Sequence, residues 1–335
     1  MSNTKQILSM LRSRAEGDED QFLAIALQVA AAEARQGRRT SAEQLRAAVE
    51  KLRRGGGDEA SVHIALARPR GDLEGLLDLR NPAFRLSHVV LADDLKAKLA
   101  RIVLQQERRT WLREGNRVPV RRLLFAGPPG SGKTMTAEAL AGELRLPFLV
   151  VRLEALITRY MGETSAKLRL VFDETIRRRG VYLFDEFDAV GSKRTATNDV
   201  GEMRRVLNSF LQFMEEPAST DSVILAATNH PELLDPALQR RFDEVLRFDM
   251  PSPNEIREVI RNHLRPMKHP RIAWNQVIAA GQGLSQAELA RAADEAAKAA
   301  LLSERNTVKT DDLMEQLAAR HEMRDTFSGD QDVAR

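Results

Sequence analysis

The chain contains no cysteine, so it has neither a disulfide framework nor thiol chemistry. Aromatic residues are sparse at 5%, and with only two tyrosines the place of each one is informative. No apolar run approaches the roughly eighteen residues of a membrane span. The amino terminus also lacks a basic segment followed by an apolar one, so no signal peptide is read. The expectation is a cytoplasmic chain with no membrane partner. The net charge of +3 is close to balance for a chain with 30% charged residues, which argues against nucleic acid as the partner. What the chain does have is length and apolar content. At 335 residues and 43% hydrophobic it can bury a substantial core.

The strongest local signal is Gly127-Pro128-Pro129-Gly130-Ser131-Gly132-Lys133-Thr134, followed by Met135. It comes after the apolar run Leu123-Leu124-Phe125 and before Thr136-Ala137-Glu138-Ala139-Leu140, which reads as helix. Strand, glycine loop and helix start together aim successive backbone N–H groups at phosphate oxygens, and the helix dipole adds positive potential there. In this reading Lys133 reaches the β- and γ-phosphates and Thr134 holds Mg²⁺. About fifty residues on, Val181-Tyr182-Leu183-Phe184 runs into Asp185-Glu186. Four apolar residues ending in two acids read as a buried parallel strand that delivers carboxylates to the ligand edge of the sheet. Asp185 is placed behind Mg²⁺, and Glu186 polarises the water that attacks the γ-phosphate.

These motifs resemble the AAA ATPases in the narrow sense, the group of proteasomal unfoldases, membrane-protease unfoldases and microtubule-severing enzymes. The likeness covers Leu86 to Leu317. It implies ATP and Mg²⁺ as ligands and assembly of identical subunits into a hexameric ring. The strand Ser222 to Ala227, ending in Thr228-Asn229-His230-Pro231, is similar to the family's sensor strand, so Asn229 is expected near the γ-phosphate or the attacking water. Asn229 also suits a turn, a role compatible with the first. The segment Leu234 to Asp243 is similar to the region that supplies arginine fingers to the neighbouring subunit. It is shorter than the common form, so the choice between Arg241 and Arg240 stays open, with Arg241 favoured. The segment Thr158-Arg159-Tyr160-Met161-Gly162 resembles an axial pore loop, with Tyr160, Met161 and Gly162 gripping a polypeptide. The polar loop Gly191 to Asp199 is a second channel-facing segment. Val90 and Leu91 stand where relatives hold adenine, although Leu91 replaces a glycine. His263 matches a histidine placed near the base or ribose. Gly283-Leu284-Ser285-Gln286-Ala287-Glu288 resembles the nucleotide-sensing turn, with Ala287 beside the nucleotide and Gln286 in place of a glycine.

The expected fold class is α/β: a P-loop NTPase parallel sheet with helices on both faces, a small all-α lid and an N-terminal helical region. Residues 1–54 read as helical, with Phe22, Ile25, Ala26 and Val29 on one face and Leu45, Val49 and Leu52 on another. Thr40 and Glu43 form a capping box. This region would bind a protein substrate or adaptor. Residues 55–85 are a linker, with helix read over 59–80. The large nucleotide domain spans 86–250, the lid 251–320 and a frayed polar tail 321–335. Strands are expected at Leu123–Phe125, Phe148–Leu153, Tyr182–Phe184, Val223–Ala227 and Val245–Phe248. Ser252-Pro253-Asn254-Glu255 opens the lid with a cap, a first-turn proline and an acid at N3.

The functional expectation is a Mg-ATP-driven ring motor that unfolds, disassembles or threads proteins. Any peptidase would be a separate chain, since no His-Glu-x-x-His segment occurs. The alternative is a nucleotide-dependent switch that remodels one partner through the N-terminal helices without threading. A nucleic-acid motor or loader is a third class, disfavoured by the charge balance.

Overall fold

The structure is a computed structural model. It describes residues 71–156, 163–188, 200–216, 220–234, 239–265, 267–268 and 271–332, together with Ile25, Val29 and Ala30. Two compact units divide the chain at Val62 and His63. In the first unit Ile25, Val29 and Ala30 are helical, with Val29 and Ala30 buried. The other N-terminal expectations, including Phe22, Thr40, Glu43 and Leu45, lie outside the described residues.

The second unit is built on a six-stranded sheet in the order β1-β3-β4-β5-β2-β6. Its strands are β1 (Leu77–Arg80), β2 (Arg122–Ala126), β3 (Phe148–Val151), β4 (Val181–Phe184), β5 (Val223–Thr228) and β6 (Glu244–Arg247). All neighbours pair parallel except β1, which lies antiparallel on β3. The central strands β4 and β5 are buried at every position, as continuous apolar runs covered on both faces require. β4 and β2 both border β5, with Phe184 and Leu124 each opposite Ala226. The carboxyl ends of these three strands therefore open side by side, where ligands of open α/β sheets collect.

Helices cover both faces: α1 (Asp93–Glu107), α2 (Arg109–Glu114), α3 (Lys133–Glu143), α4 (Leu153–Leu156), α5 (Glu163–Arg177) and α6 (Val200–Glu215). One face carries an aromatic cluster of Phe172, Phe184, Phe187 and Phe210. Phe184 and Phe210 meet edge to face at 5.0 Å. Burying each such ring contributes about 1.5–3 kcal/mol, and the paired geometry about 0.5–1.5 kcal/mol more. Leu99, Ile102, Phe125 and Leu140 fill the other face. Tyr182 is buried within the sheet with its hydroxyl toward the carbonyls of Arg178 and Glu174, and burial pushes its phenol up, so it stays neutral. One of the two tyrosines is therefore structural.

The lid contains α7 (Pro253–His263), α8 (Trp274–Gly281), α9 (Gln286–Leu302) and α10 (Thr310–Asp332). Ser252 and Glu255 form the expected capping box on α7, and Ser285 and Glu288 form another on α9. The alanine face of α9, Ala292, Ala293, Ala296 and Ala300, is fully buried, because small side chains let neighbouring helices approach closely.

Two expectations are corrected. Residues 77–80, read as helix within a linker, form β1, since Leu77-Asp78-Leu79-Arg80 alternates and buries Leu77 against the sheet edge. The tail expected to fray from Arg324 is helical through Asp332. It is anchored by His321 Nε2 at 2.8 Å from the Ala280 carbonyl and by the Arg324 guanidinium on the Gly283 carbonyl.

Candidate active site

The loop from β2 to α3 takes its shape from its glycines. Gly132 sits in the left-handed region at φ 91° as the N-cap of α3, a conformation that costs other residues about 1 kcal/mol or more. At Gly127 the constraint is space: an added Cβ would lie 2.1 Å from the Phe248 carbonyl oxygen, so only glycine lets β6's exit pass so close. Lys133 is buried, and its Nζ donates to the carbonyls of Gly127 and Pro128 and to Asn229 Oδ1, each at 2.8 Å. Burial lowers the Lys133 pKa, while the charges of Asp185 and Asp188 pull it back up. The ammonium is thus held inside the loop by two loop carbonyls and by the side-chain oxygen of the asparagine that follows β5.

Thr134 Oγ1 donates to Asp185 Oδ2 at 2.7 Å. A hydroxyl and a carboxylate at one point are hard oxygen donors of the kind Mg²⁺ accepts, and Mg²⁺ takes few protein ligands because it keeps waters and phosphate oxygens. The donor set therefore fits Mg²⁺ carried by a polyphosphate. Glu186 is exposed on the turn after β4 at φ 51°, with its backbone N–H on Asp185 Oδ1 at 3.0 Å. Such a backbone costs about 1–3 kcal/mol in a non-glycine residue. Phe187 then returns its N–H to the Ala227 carbonyl at 2.8 Å and buries its ring.

Asp188 was not singled out by sequence reasoning. Its Oδ1 accepts from Thr228 Oγ1 at 3.1 Å and from the Asn229 N–H at 3.3 Å, tying the end of β5 to the acidic turn. The available signal was a third acid two residues beyond the pair.

The structure thus brings together residues 127–135, Asp185, Glu186 and Asn229. Ala287 joins them from the lid, its N–H donating to the Gly130 carbonyl at 3.0 Å. Val90 and Leu91 are buried in different cores: Leu91 packs with the large-domain helices and Val90 with the lid. His263 pairs with Asp294 of α9 at 3.4 Å. Arg240 is exposed, and Arg241 pairs with Glu215 at the end of α6 rather than with its own phosphate loop. Just after them, Asp243 accepts from the Arg121 and Arg122 N–H groups at 3.0 and 2.9 Å and from Arg122 Nε at 3.0 Å. Tyr160, Met161, Gly162 and the Gly191 to Asp199 loop lie outside the described residues.

Residues 123–250 match the family described as "ATPase family associated with various cellular activities (AAA)". The AAA family ATPase y4kL of Sinorhizobium fredii is 33% identical over 301 residues, which is 88% of this chain and 89% of that protein. An ATP-dependent zinc metalloprotease FtsH of Acidothermus cellulolyticus is 37% identical over 69% of this chain and 36% of its own length. A proteasome-activating nucleotidase of Methanococcus maripaludis is 34% identical over 60% of this chain, which spans 51% of that protein. In fold, the crystal structure of the FIGL-1 AAA domain superposes with a TM-score of 0.60 at 24% identity, over 73% of this chain and 85% of that one. Likeness to y4kL along nearly all of both chains, with a phosphate loop and acidic strand end of the required geometry, places this chain in the AAA family of ATPases, which use ATP with Mg²⁺.

Proposed function

We propose that the chain is one subunit of a Mg-ATP-driven ring motor that pulls on protein substrates. The observation that carries the chemistry is the meeting of Thr134 with Asp185 and of Lys133 with Asn229, from three adjacent strand ends. The loop N–H groups and the N-terminus of α3 bind phosphate oxygens, and Lys133 exchanges its carbonyl partners for the β- and γ-phosphates. Thr134 and Asp185 would hold Mg²⁺, which would supply positive charge to offset that of the phosphates. Glu186 takes a proton from a water whose oxygen bonds to the γ-phosphorus as the bond to the bridging oxygen breaks, releasing ADP and phosphate. Asn229 orients that water. Arg241, or Arg240 beside it, supplies positive charge to the phosphates of the neighbouring subunit, an effect of about 10³–10⁵ in related phosphoryl transfers.

The mechanical part of the proposal rests on Tyr160-Met161-Gly162, between α4 and α5, and on likeness to proteins named as a protease and a proteasome-activating nucleotidase. An aromatic ring followed by apolar and glycine residues grips an extended polypeptide through apolar contact, without sequence preference. A separate protease and a substrate-binding role for residues 1–54 belong to the same proposal, as do the hexamer and a cytoplasmic site of action. Among the described residues no helix is long and apolar enough to cross a membrane.

Tyr160→Ala separates threading from switching. A threading motor with this change retains most of its ATPase activity and loses ATP-dependent work on a labelled unfolded polypeptide such as casein. A variant that keeps that work points instead to a switch acting through the N-terminal helices.

A further inference from the structure

One contact joins the lid to the large domain across the mouth of the phosphate loop. Gln286, the first residue of α9, donates from Nε2 to the Val90 carbonyl at 3.1 Å. Its Oε1 lies over Gly132, within 3.0 Å of where a Cβ would stand on that residue. Gly132 is the N-cap of α3, the positive end of the helix to which phosphate is drawn. One side-chain amide therefore offers a donor to a main-chain carbonyl and presents an acceptor oxygen at the anion-attracting helix end. Its neighbours press in beside it. A Cβ on Gly130 would meet Ser285 Oγ at 2.7 Å and the Ala287 Cβ at 3.2 Å, and the Ala287 N–H already bonds the Gly130 carbonyl.

We propose that Gln286 is a latch that ties the lid to the large domain and that a nucleotide must displace to seat fully. This rests on the reading of the phosphate loop as the ATP site. A polyphosphate on the loop needs the volume over Gly132 that the Gln286 carbonyl oxygen takes. The exocyclic amine of adenine is the same kind of donor as the Gln286 amide and satisfies the Val90 carbonyl equally well. Val90 is also the point where the two domains are stitched. Its side chain packs into the lid core while Val89 and Leu91 pack into the sheet core, so a bond to its carbonyl sets the lid angle. A latch of this kind lowers apparent nucleotide affinity by the fraction of molecules in which it is closed.

The test measures binding of the fluorescent nucleotide mant-ADP to the full chain by anisotropy, for the parent, Gln286→Ala and Gln286→Met. Both variants lack the donor, and Met keeps the length, so hydrogen bonding is separated from bulk. One net hydrogen bond corresponds to about fivefold, so both variants are expected to bind about fivefold more tightly. Parent-like or weaker binding by the Ala variant, with circular dichroism showing it folded, overturns the latch. Tightening by Ala but not Met overturns the hydrogen bond as its cause. A parent chain that binds no mant-ADP refutes the nucleotide reading itself and is told apart by that result.

Discussion

The hydroxyl of Thr134 donates to the carboxylate of Asp185 across 2.7 Å, joining the first turn of α3 to the end of β4, 51 residues away in sequence. Thr134 is half-buried at a helix start, and Asp185 follows a strand whose own residues are fully buried. In the proposed mechanism a shared Mg²⁺ accounts for their meeting. Asp185→Asn and Thr134→Ala should each raise the Mg²⁺ concentration for half-maximal ATPase activity by about tenfold or more. The check is a Mg²⁺ titration at saturating ATP.

Glu186→Gln keeps the backbone and the size of the side chain but cannot accept the proton of the attacking water. Turnover should fall by about 10²-fold or more, while mant-ATP binding stays within a few-fold of the parent. Near-parental turnover would remove Glu186 from the catalytic role.

In the proposed mechanism Asp188 is a positioning residue that acts through Asn229. Loss of its two hydrogen bonds in Asp188→Ala frees the end of β5, so kcat should fall about ten- to a hundredfold while nucleotide affinity changes little. A purely structural role would instead lower the melting temperature and affinity together. Parallel measurement of kcat, KM and thermal unfolding distinguishes the two.

Asp243 holds the segment that carries Arg240 and Arg241. Burial alone would raise its pKa, but the bonds from the Arg122 guanidinium and from the Arg121 and Arg122 N–H groups overcome this and lower it. A carboxyl depressed in the folded state stabilises the fold above its unfolded value of about 3.9, and this contribution is lost as pH falls through the lower folded value. Asp243→Asn should therefore destabilise by about 1–3 kcal/mol at neutral pH. The difference from the parent should shrink toward acid. Urea melts at neutral and acidic pH measure both.

Legibility followed locality. The phosphate loop and the Asp185-Glu186 pair were readable because each is a contiguous run whose chemistry sits next to an unmistakable strand. β1 was missed because four alternating residues carry a weak signal and β1 exists only through antiparallel pairing with β3. The tail of α10 looked frayed because its polarity hides two anchors, His321 and Arg324, whose partners Ala280 and Gly283 lie each 41 residues away. His263 matches a nucleotide contact by resemblance alone, and its 3.4 Å pairing with Asp294 of α9 was not legible because it joins two separate lid helices. Gln286 stood out in the sequence only as a missing glycine, since its partner Val90 is 196 residues distant.

The most direct test of the ring-motor account is the mass of Glu186→Gln by light scattering or mass photometry, with and without Mg-ATP. A finger that works in trans and a base that cannot finish hydrolysis together predict a hexameric particle that appears with Mg-ATP and disperses without it. A particle that stays monomeric or dimeric with saturating Mg-ATP would contradict the ring and, with it, the pulling role assigned to Tyr160.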